Sequence, residues 1–415
     1  MTRGGERRAP IRFGTDGWRA VIADEFTFEN VERVAQAYAA FVTWRPARAP
    51  EEGGAAAREG DGAPAREHPR GGETRARPEV VVGHDRRFLS ERFAARAAEV
   101  LAGNGVSVAL FDTDAPTPLV SWAVRERGAA GGVVITASHN PGHFNGFKIK
   151  APWGGSATAE TTVAVESLVD AAPPQRAALP AEAFGQLGAQ AESYRAQVAS
   201  CVDLDRLRAL RARVVVDPMH GAGGRWVEGF LKGGRLGVET IRAGRDTLFG
   251  GVAPEPIDRN LAPLKERVRE RRALVGLATD GDADRLGAVN EAGETMTMHE
   301  VVPVVLLHLA RARRMAGGVV RTFSQSVLLK RIAAAHGLKL YETPIGFKYI
   351  ADLMLRDDIL IGAEESGGIG VRGHLPERDG ILNSLLLLEA VAASGRTPTE
   401  LVREVHREFG EFYFG

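Results

Sequence analysis

The amino-acid sequence predicts an α/β protein: three successive, similar α/β domains with mixed, largely parallel sheets flanked by helices. Short β-branched runs such as PEVVVGHD and GGVVITAS recur along the chain and alternate with helix-like segments. Each run enters a glycine-rich polar loop, as buried strands of parallel sheets do. With 415 residues, the chain is long enough for several cores. Functional loops are therefore expected beyond the carboxyl ends of the strands.

Weakly patterned stretches suggest where the domains begin and end. The expected domains are I at residues 1–195, II at 196–300 and III at 301–408. Residues 45–78 contain almost no large apolar side chains, so they cannot bury enough surface to fold and are predicted to form a disordered surface insertion. The run SERFAARAAEVLAGNG predicts a helix with Ser90 as its N-cap and Gly103 near its C-terminus.

Composition excludes several classes of partner and location. The 53 basic and 53 acidic residues give no net charge, so neither nucleic acid nor an anionic membrane is an expected partner. The single cysteine, Cys201, excludes an intrachain disulfide and favours a reducing compartment. The amino terminus lacks the apolar core of a signal peptide, and the longest apolar stretches are too short to span a bilayer. We expect a cytoplasmic protein; the sequence gives no indication of its oligomeric state.

The stretch TDGDADR places Asp280, Asp282 and Asp284 at alternate positions after a strand-like run. On one side of an extended loop, three carboxylates can converge on a hard cation, which would relieve their mutual repulsion. Few side chains donate here, which leaves positions for water or phosphate and favours Mg²⁺. A calcium-binding EF-hand is rejected because Arg285 occupies the position that needs glycine. The Arg285 guanidinium can instead pair with a phosphate.

The stretch TASHNP ends another strand-like run on Ser138 and His139, which suggests a hydrolase nucleophile with its base. Given a Mg²⁺ site elsewhere in the chain, Ser138 is better interpreted as a phosphoryl carrier. His139 and Lys148 are then nearby proton donors or acceptors. A third strand-end loop, EESGG, offers the Glu364 carboxylate and the Ser366 hydroxyl for hydrogen bonds to sugar hydroxyls.

Together these motifs carry a family resemblance. TASHNP with the following NGFK, then DGDADR, then EESGG with HLPERDG occur in this order in the α-D-phosphohexomutase superfamily, which the chain resembles. FGTDGWR, GHDRRFLS, APTPLVSWAV, VDPMHGAGG and GGVAPEPIDRNL are also similar to segments of that family. The resemblance therefore covers essentially the whole chain outside the insertion.

The resemblance implies a phosphohexomutase that interconverts hexose 1-phosphate and 6-phosphate through a bisphosphorylated sugar, with glucose 1,6-bisphosphate or an equivalent as activator. Ser138 would be the phosphoserine, Arg19 and Arg285 would contact it and the substrate, and His139 and Lys148 would be the acid/base candidates. The implied Mg²⁺ ligands are Ser138, Asp280, Asp282 and Asp284. The implied substrate-binding residues are Gly346, Lys348, Glu364, Ser366, His374 and Arg378.

Two further features of the sequence concern the preferred sugar and the family's fourth domain. TPIGFK and EESGG resemble phosphoglucomutase-type members, so glucose is preferred, with a phosphomannomutase or a dual-specificity mutase as alternatives. The family's fourth domain carries an Arg-x-Ser-Gly-Thr-Glu-Pro phosphate loop that this sequence does not contain. We therefore expect residues 409–415 to start a linker to a domain that this sequence does not contain, either because the sequence is a fragment or because this family member lacks the domain. In the second case, turnover would be impaired by the lost hydrogen bonds.

Two other functions stay open at this point. One is a metal-assisted phosphatase in which Ser138 is the nucleophile. The other is a non-catalytic sugar-phosphate binding protein.

Overall fold

A computed structural model of the chain describes residues 11–14, 16–44 and 77–411. The predicted disordered insertion lies outside these residues except for residues 77 and 78, and the predicted linker is described only at 409–411. Both therefore remain predictions. None of the described helices combines the length and apolar character needed to cross a membrane.

The described residues form strands and helices that alternate along much of the chain. The strands are β1 (Trp18–Val21), β2 (Glu79–His84), β3 (Ser107–Leu110), β4 (Gly131–Ile135), β5 (Phe144–Lys150), β6 (Arg213–Asp217), β7 (Gly237–Thr240), β8 (Val275–Thr279), β9 (Leu286–Val289), β10 (Thr295–Met296), β11 (Gly318–Thr322), β12 (Leu340–Thr343), β13 (Ile359–Ala363) and β14 (Ile369–Val371). The α-helices are α1 (Phe28–Trp44), α2 (Ser90–Gly103), α3 (Thr117–Glu126), α4 (Ala159–Leu168), α5 (Gly188–Ser200), α6 (Leu204–Ala209), α7 (Trp226–Leu231), α8 (Ala262–Arg271), α9 (Met298–Leu307), α10 (Leu328–Ala335), α11 (Phe347–Arg356), α12 (Gly380–Ser394) and α13 (Pro398–Phe409). Short helical turns of other types occupy Ala181–Ala183, Phe249–Gly251, Asp258–Asn260 and His308–Ala312.

The strands form three sheets with one repeated plan. Their orders are β1-β5-β4-β2-β3, β10-β9-β8-β6-β7 and β12-β11-β13-β14. Each sheet has a parallel centre, and its last parallel strand pairs antiparallel with the next strand in the chain. The predicted α/β class with mixed, largely parallel sheets is confirmed. One sheet lies within each proposed domain, although the domain boundaries themselves remain predictions.

The three predicted functional loops all join an antiparallel pair of strands. We call residues 136–143 the Ser138 loop, 280–285 the aspartate loop and 364–368 the glutamate loop; they join β4 to β5, β8 to β9 and β13 to β14. The expected strand–loop–helix order is therefore wrong at these three places.

Strand β5 reads FNGFKIK and buries Lys148 and Lys150, because carboxylates pair with both lysines. A search for apolar runs does not identify such a strand, because two of its buried side chains are charged.

Helix α12 follows β14 of the third sheet and packs against the second sheet. Its residues from Gly380 to Val391 are all buried, and it packs against α6, α7, α9, β8 and β9. Burying each of its leucines contributes about 1.5–3 kcal/mol. The helix starts at Gly380, the last residue of the HLPERDG stretch, so it fixes that stretch next to the aspartate loop, where the Gly380 amide donates to the Ala283 carbonyl at 3.0 Å.

The start of helix α2 differs from the prediction. The helix runs from Ser90 to Gly103, so Gly103 lies at its C-terminus as expected, but its N-cap is Leu89 at φ 59°. Predicting Ser90 as the N-cap was wrong. Its hydroxyl instead donates to Asp85 Oδ1 at 2.8 Å, because a buried carboxylate lies within reach.

Candidate active site

The three named loops meet at one place in the molecule. The Thr117 amide, at the start of α3, donates to the Asp282 carbonyl at 2.9 Å. Gly281 approaches the Ser138 loop so closely that an added Cβ would lie 2.4 Å from the Ser138 carbonyl oxygen. On the other side, the Leu286 amide donates to the Gly367 carbonyl at 3.1 Å. The aspartate loop is therefore held between the other two.

Ser138 is fully buried and points at the aspartates. Its hydroxyl donates to Asp280 Oδ2 at 2.8 Å. Its backbone is left-handed, with φ 51°, a conformation that few residues other than glycine adopt. The Ser138 amide donates to Thr136 Oγ1 at 2.9 Å, and that hydroxyl in turn donates to Asp85 Oδ2 at 2.6 Å. The serine is thus held from its backbone as well as from its side chain.

The three aspartates have the geometry of a cation site. Asp280, Asp282 and Asp284 are fully buried, and one carboxylate oxygen of each lies within 4.8 Å of the others. Oδ1 of Asp282 and Oδ1 of Asp284 have no hydrogen-bond partner in the described part of the chain. Buried carboxylate oxygens without partners are costly unless a cation takes them up, and hard oxygen donors suit Mg²⁺. The donor set therefore fits the ion.

Protein cations also face these carboxylates. Lys148 Nζ lies 2.8 Å from Asp282 and 3.2 Å from Asp284. It also lies 2.9 Å from Asp16, to which Arg378 Nη2 binds at 2.8 Å. The same Arg378 nitrogen is 2.9 Å from Asp284. Residues from four distant parts of the sequence therefore form one network of opposite charges.

The network shifts the acidities of its members in opposite directions. Burial raises the pKa of Asp280 well above its usual value, and the neighbouring Asp282 and Asp284 raise it further. Burial acts in the same direction on Asp282, but the charge and hydrogen bond of Lys148 outweigh it and lower the pKa of that carboxyl. The carboxylates in turn raise the pKa of Lys148, despite its burial, so this lysine stays charged.

Two arginines and a histidine lie beside the Ser138 and aspartate loops. Arg19 Nη1 donates to Asn140 Oδ1 at 2.9 Å. Arg285 Nε lies 3.9 Å from Asp284 Oδ1 and has no hydrogen-bond partner among the described residues. Burial, together with the charges of Arg285 and Arg19, lowers the pKa of His139 to about 3. His139 is consequently neutral at neutral pH.

The predicted sugar-side residues lie partly next to this network. The Gly346 amide donates to Glu364 Oε1 at 3.0 Å, and burial raises the pKa of that carboxyl although Arg378 opposes it. Ser366 is exposed at the tip of the glutamate loop. Lys348 is half-buried, with its ammonium 5.1 Å from the ring centre of Tyr349. Glu364 thus links the sugar side to Arg378 and the aspartates.

His374 lies in a different environment. Its Nε2 is 3.0 Å from Asp379 Oδ2, and its ring stacks on Trp122 with the centroids 6.0 Å apart. Tyr194 donates to the same Asp379 oxygen at 2.7 Å. In this structure the imidazole is therefore occupied by packing and a hydrogen bond to Asp379, and its role in binding sugar remains a prediction.

Several residues with central contacts received no role from the sequence. Each lies in a stretch that carried the resemblance, but only its spatial neighbours show what it does. Asp16 gathers Lys148 and Arg378, and the Thr117 hydroxyl donates to Asp282 Oδ2 at 2.7 Å. Glu377 accepts from the buried Lys150 at 2.8 Å. Arg87, also buried, contacts the backbone of the Ser138 loop.

Family models match three parts of the chain. They describe the alpha/beta/alpha domains I, II and III of phosphoglucomutase/phosphomannomutase. The matched residues are 70–176 for domain I, 192–293 for domain II and 298–409 for domain III. Each match contains one of the three loops that meet at the site.

Individual relatives give the same result. The phosphoglucomutase/phosphomannomutase of Thermococcus kodakarensis is 33% identical over 81% of this chain and 74% of its own length. The phosphoglucosamine mutase of Frankia alni is 32% identical over 95% of this chain and 81% of its own. A crystal structure described as a putative phosphomannomutase from Thermus thermophilus is 39% identical with a TM-score of 0.84, covering 97% of this chain and 85% of that one. With the matching domains and the convergent loops, these likenesses identify the chain as an intramolecular phosphotransferase of the phosphoglucomutase/phosphomannomutase family, in the α-D-phosphohexomutase superfamily.

Proposed function

We propose that this chain is a Mg²⁺-dependent phosphohexomutase that interconverts hexose 1-phosphate and hexose 6-phosphate, with glucose as the preferred sugar. The observation that carries the proposal is the Ser138 hydroxyl, 2.8 Å from Asp280 and beside buried carboxylate oxygens that lack hydrogen-bond partners among the described residues. A hydroxyl next to a hard-cation site is suited to hold a phosphoryl group temporarily, because the cation offsets the charge that the group brings.

The reaction consists of two phosphoryl transfers. A hydroxyl of the hexose monophosphate attacks the phosphorus on Ser138, and the bond from phosphorus to Oγ breaks. The resulting hexose bisphosphate reorients, the Ser138 hydroxyl attacks its other phosphoryl group, and the bond to the sugar oxygen breaks. In each step the proton lost by the attacking hydroxyl is matched by one gained at the leaving oxygen. Glucose 1,6-bisphosphate would start the cycle by phosphorylating Ser138.

The surrounding residues take roles that match their charge states. His139 and Lys148 would be the acid/base candidates for the proton that moves between the attacking and leaving oxygens. The lowered pKa makes His139 a weak base in the free protein, and the charge of a bound phosphoryl group would raise that pKa. Lys148, Arg19 and Arg285 would balance the charge of the phosphoryl group. Mg²⁺, held by Ser138, Asp280, Asp282 and Asp284, would supply further charge neutralisation when bound.

On the sugar side, Glu364 and Ser366 would hydrogen-bond sugar hydroxyls. Gly346 and Lys348 would line the same subsite, and Arg378 would link it to the aspartates. The buried position of Glu364 supports this, because a carboxylate in a dry site discriminates more strongly between hydroxyl arrangements than an exposed one.

The identity of the sugar is open to a direct comparison. Relatives at 30–33% identity are named phosphoglucomutase/phosphomannomutase or phosphoglucosamine mutase, which makes mannose and glucosamine phosphates the competing substrates. We expect kcat/KM to be highest for glucose 1-phosphate when the three sugar phosphates are assayed side by side. A higher value for either competitor would reassign the substrate and leave the reaction class unchanged.

The central test is a coupled assay of the full chain with glucose 1-phosphate, Mg²⁺ and catalytic glucose 1,6-bisphosphate. Ser138→Ala is expected to abolish formation of glucose 6-phosphate. The matched control is Ser121→Ala, which removes another fully buried serine hydroxyl, in helix α3, and should leave turnover intact. Glucose 6-phosphate formed by Ser138→Ala would reject the carrier role. Release of inorganic phosphate alone would indicate the phosphatase, and binding without turnover would indicate the non-catalytic alternative.

A further inference from the structure

Arg87 is a fully buried arginine in the loop after β2, and all of its donors are used. Its Nε donates to Asp85 Oδ2 at 3.0 Å. Its two Nη atoms donate to four backbone carbonyl oxygens, those of Ser138 (2.5 Å), Asn140 (2.7 Å), Pro141 (2.8 Å) and Phe144 (3.1 Å). A guanidinium has five N–H groups, so each one is matched by a hydrogen bond. One side chain thus binds three carbonyls of the Ser138 loop and the carbonyl of the first residue of β5.

Two further contacts fix the guanidinium itself. Its central carbon lies 4.9 Å from the ring centre of the buried Phe249, which comes from the second α/β unit. Asp85 also accepts from the Arg87 amide at 3.0 Å and from the Thr136 hydroxyl at 2.6 Å. Because Thr136 Oγ1 accepts from the Ser138 amide, Arg87 and Asp85 hold both polar groups of the Ser138 backbone.

This arrangement overcomes two unfavourable features of the loop. Four carbonyl dipoles point at one buried place that water does not reach, and they would repel one another without a cation. Ser138 also adopts a left-handed backbone, which is unfavourable for a residue with a Cβ. A lysine ammonium carries only three donors, so it cannot reproduce the five hydrogen bonds.

We infer that Arg87 is a positioning residue for phosphoryl transfer: it presets the left-handed backbone of Ser138 and so directs the serine oxygen at the aspartate loop. The inference rests on the proposed function, in which Ser138 carries the phosphoryl group. Since Arg87 contacts loop backbone and not the sugar side, its loss acts on the transfer step and not on hexose phosphate binding.

The test compares Arg87→Lys with Arg33→Lys in the full chain. Arg33 is also buried in the first α/β unit and binds Asp170 through Nε at 2.7 Å and Nη2 at 2.5 Å, away from the Ser138 loop. For Arg87→Lys we expect kcat to fall about 100-fold with KM changed less than about threefold, because a small misplacement of a reacting group has effects of this size. Arg33→Lys should leave kcat within about twofold of the parent even where its melting temperature falls.

A second readout isolates the transfer step. Phosphorylation of Ser138 by glucose 1,6-bisphosphate, followed by mass spectrometry of the intact protein, should slow by the same factor as kcat in Arg87→Lys. A kcat reduced less than about threefold, or a KM that rises while kcat holds, would overturn the inference.

A variant that fails to fold does not end the test. If Arg87→Lys shows no cooperative melting, Thr136→Val is tested in its place, because it removes the hydroxyl that accepts from the Ser138 amide in the same network. A fall in kcat of about tenfold in Thr136→Val supports the inference, and an unchanged kcat overturns it. An active Ser138→Ala would instead reject the proposed function. If Ser138→Ala is inactive but Arg87→Lys is fully active, the positioning role is rejected and the proposed function is kept.

Discussion

The candidate site has two sides that are built differently. The phosphoryl side, formed by the Ser138 and aspartate loops, is fully buried at Ser138 and at all three aspartates, and its contacts cross between α/β units. The sugar side, formed by the glutamate loop and residues 343–349, exposes Ser366 and 52% of Ile345. The phosphoryl side thus holds buried charges in fixed positions, whereas the sugar side exposes some of its side chains to solvent.

The difference follows from what each side would do. Stabilising a transferring phosphoryl group requires charges that are already in place, since reorganising them during the reaction would cost part of the gain. Under the proposed function the hexose bisphosphate must reorient between the two transfers, which a partly open sugar side would allow. Changes on the phosphoryl side should therefore lower kcat, and changes on the sugar side should mainly raise KM.

The largest effect is expected from Asp282→Asn. This change removes one charge from the aspartate cluster and weakens its contact with Lys148, so kcat should fall on the order of 10³-fold. Calorimetric titration with Mg²⁺ in the absence of sugar should show weaker binding. Asp112→Asn, at an exposed position after β3, is the control and should change neither quantity. Normal turnover by Asp282→Asn would contradict the claim that the phosphoryl side controls kcat.

The next effect concerns the buried pair that joins the two sides. Burial would raise the pKa of Glu377, but Lys150 and Arg378 outweigh it and hold that pKa below its usual 4.5. A carboxyl with a lowered folded-state pKa contributes stability above about pH 4.5 and loses it as the pH falls further. Glu377→Gln should therefore lower the free energy of unfolding by about 3 kcal/mol at pH 7, and by less at pH 4.

Urea unfolding at both pH values measures this difference. The exposed Glu126→Gln is the control, and we expect it to leave the unfolding curves unchanged at both. A loss in Glu377→Gln that is equal at pH 7 and pH 4 would show that the pair contributes through packing and not through charge.

A smaller effect on turnover is expected from Gly281→Ala. The new methyl group would lie 2.4 Å from the Ser138 carbonyl oxygen and 3.0 Å from Pro254 Cγ, so the Ser138 and aspartate loops must move apart. We expect kcat to fall about 100-fold because the serine oxygen moves away from the aspartates. Gly188→Ala, where a Cβ meets nothing within 4 Å, is the control. Equal activity of the two variants would mean that the contact between the loops is not needed for turnover.

The smallest effect is expected from Ser366→Ala on the sugar side. Loss of one neutral hydrogen bond to the sugar should raise KM by up to about tenfold with little change in kcat. Ser167→Ala removes a hydroxyl that is also exposed but lies in helix α4, and should leave KM unchanged. A fall in kcat without a rise in KM would place Ser366 with the phosphoryl side.

Sequence reasoning found the groups that are close together in the chain. Asp280, Asp282 and Asp284 are spaced at alternate positions, and Ser138 and His139 end one strand-like run, so local patterns were sufficient to single them out. The predicted fold class is confirmed for the same reason, since strand and helix periodicities are local. The predicted strand–loop–helix order failed where β5 buries two lysines, because their partners lie elsewhere in the chain.

The roles of other residues could be assigned only from their contacts with partners far away in the sequence. Asp16 binds Arg378, 362 positions away, and Thr117 binds Asp282 across 165 positions. No local spacing relates such pairs. The packing around His374 depends in the same way on Trp122, which belongs to a different α/β unit.

The sequence alone determined which chemistry the chain carries: a serine and a cluster of carboxylates that follow strands, together with a set of cations. The tertiary structure decided which of them act together. Burial removes the water that would otherwise screen these charges, so the state of Asp280, Lys148 and His139 depends on neighbours that only the folded chain supplies. The physical reason is that hydrophobic periodicity acts over a few residues, whereas electrostatic pairing in a buried site acts across the whole fold.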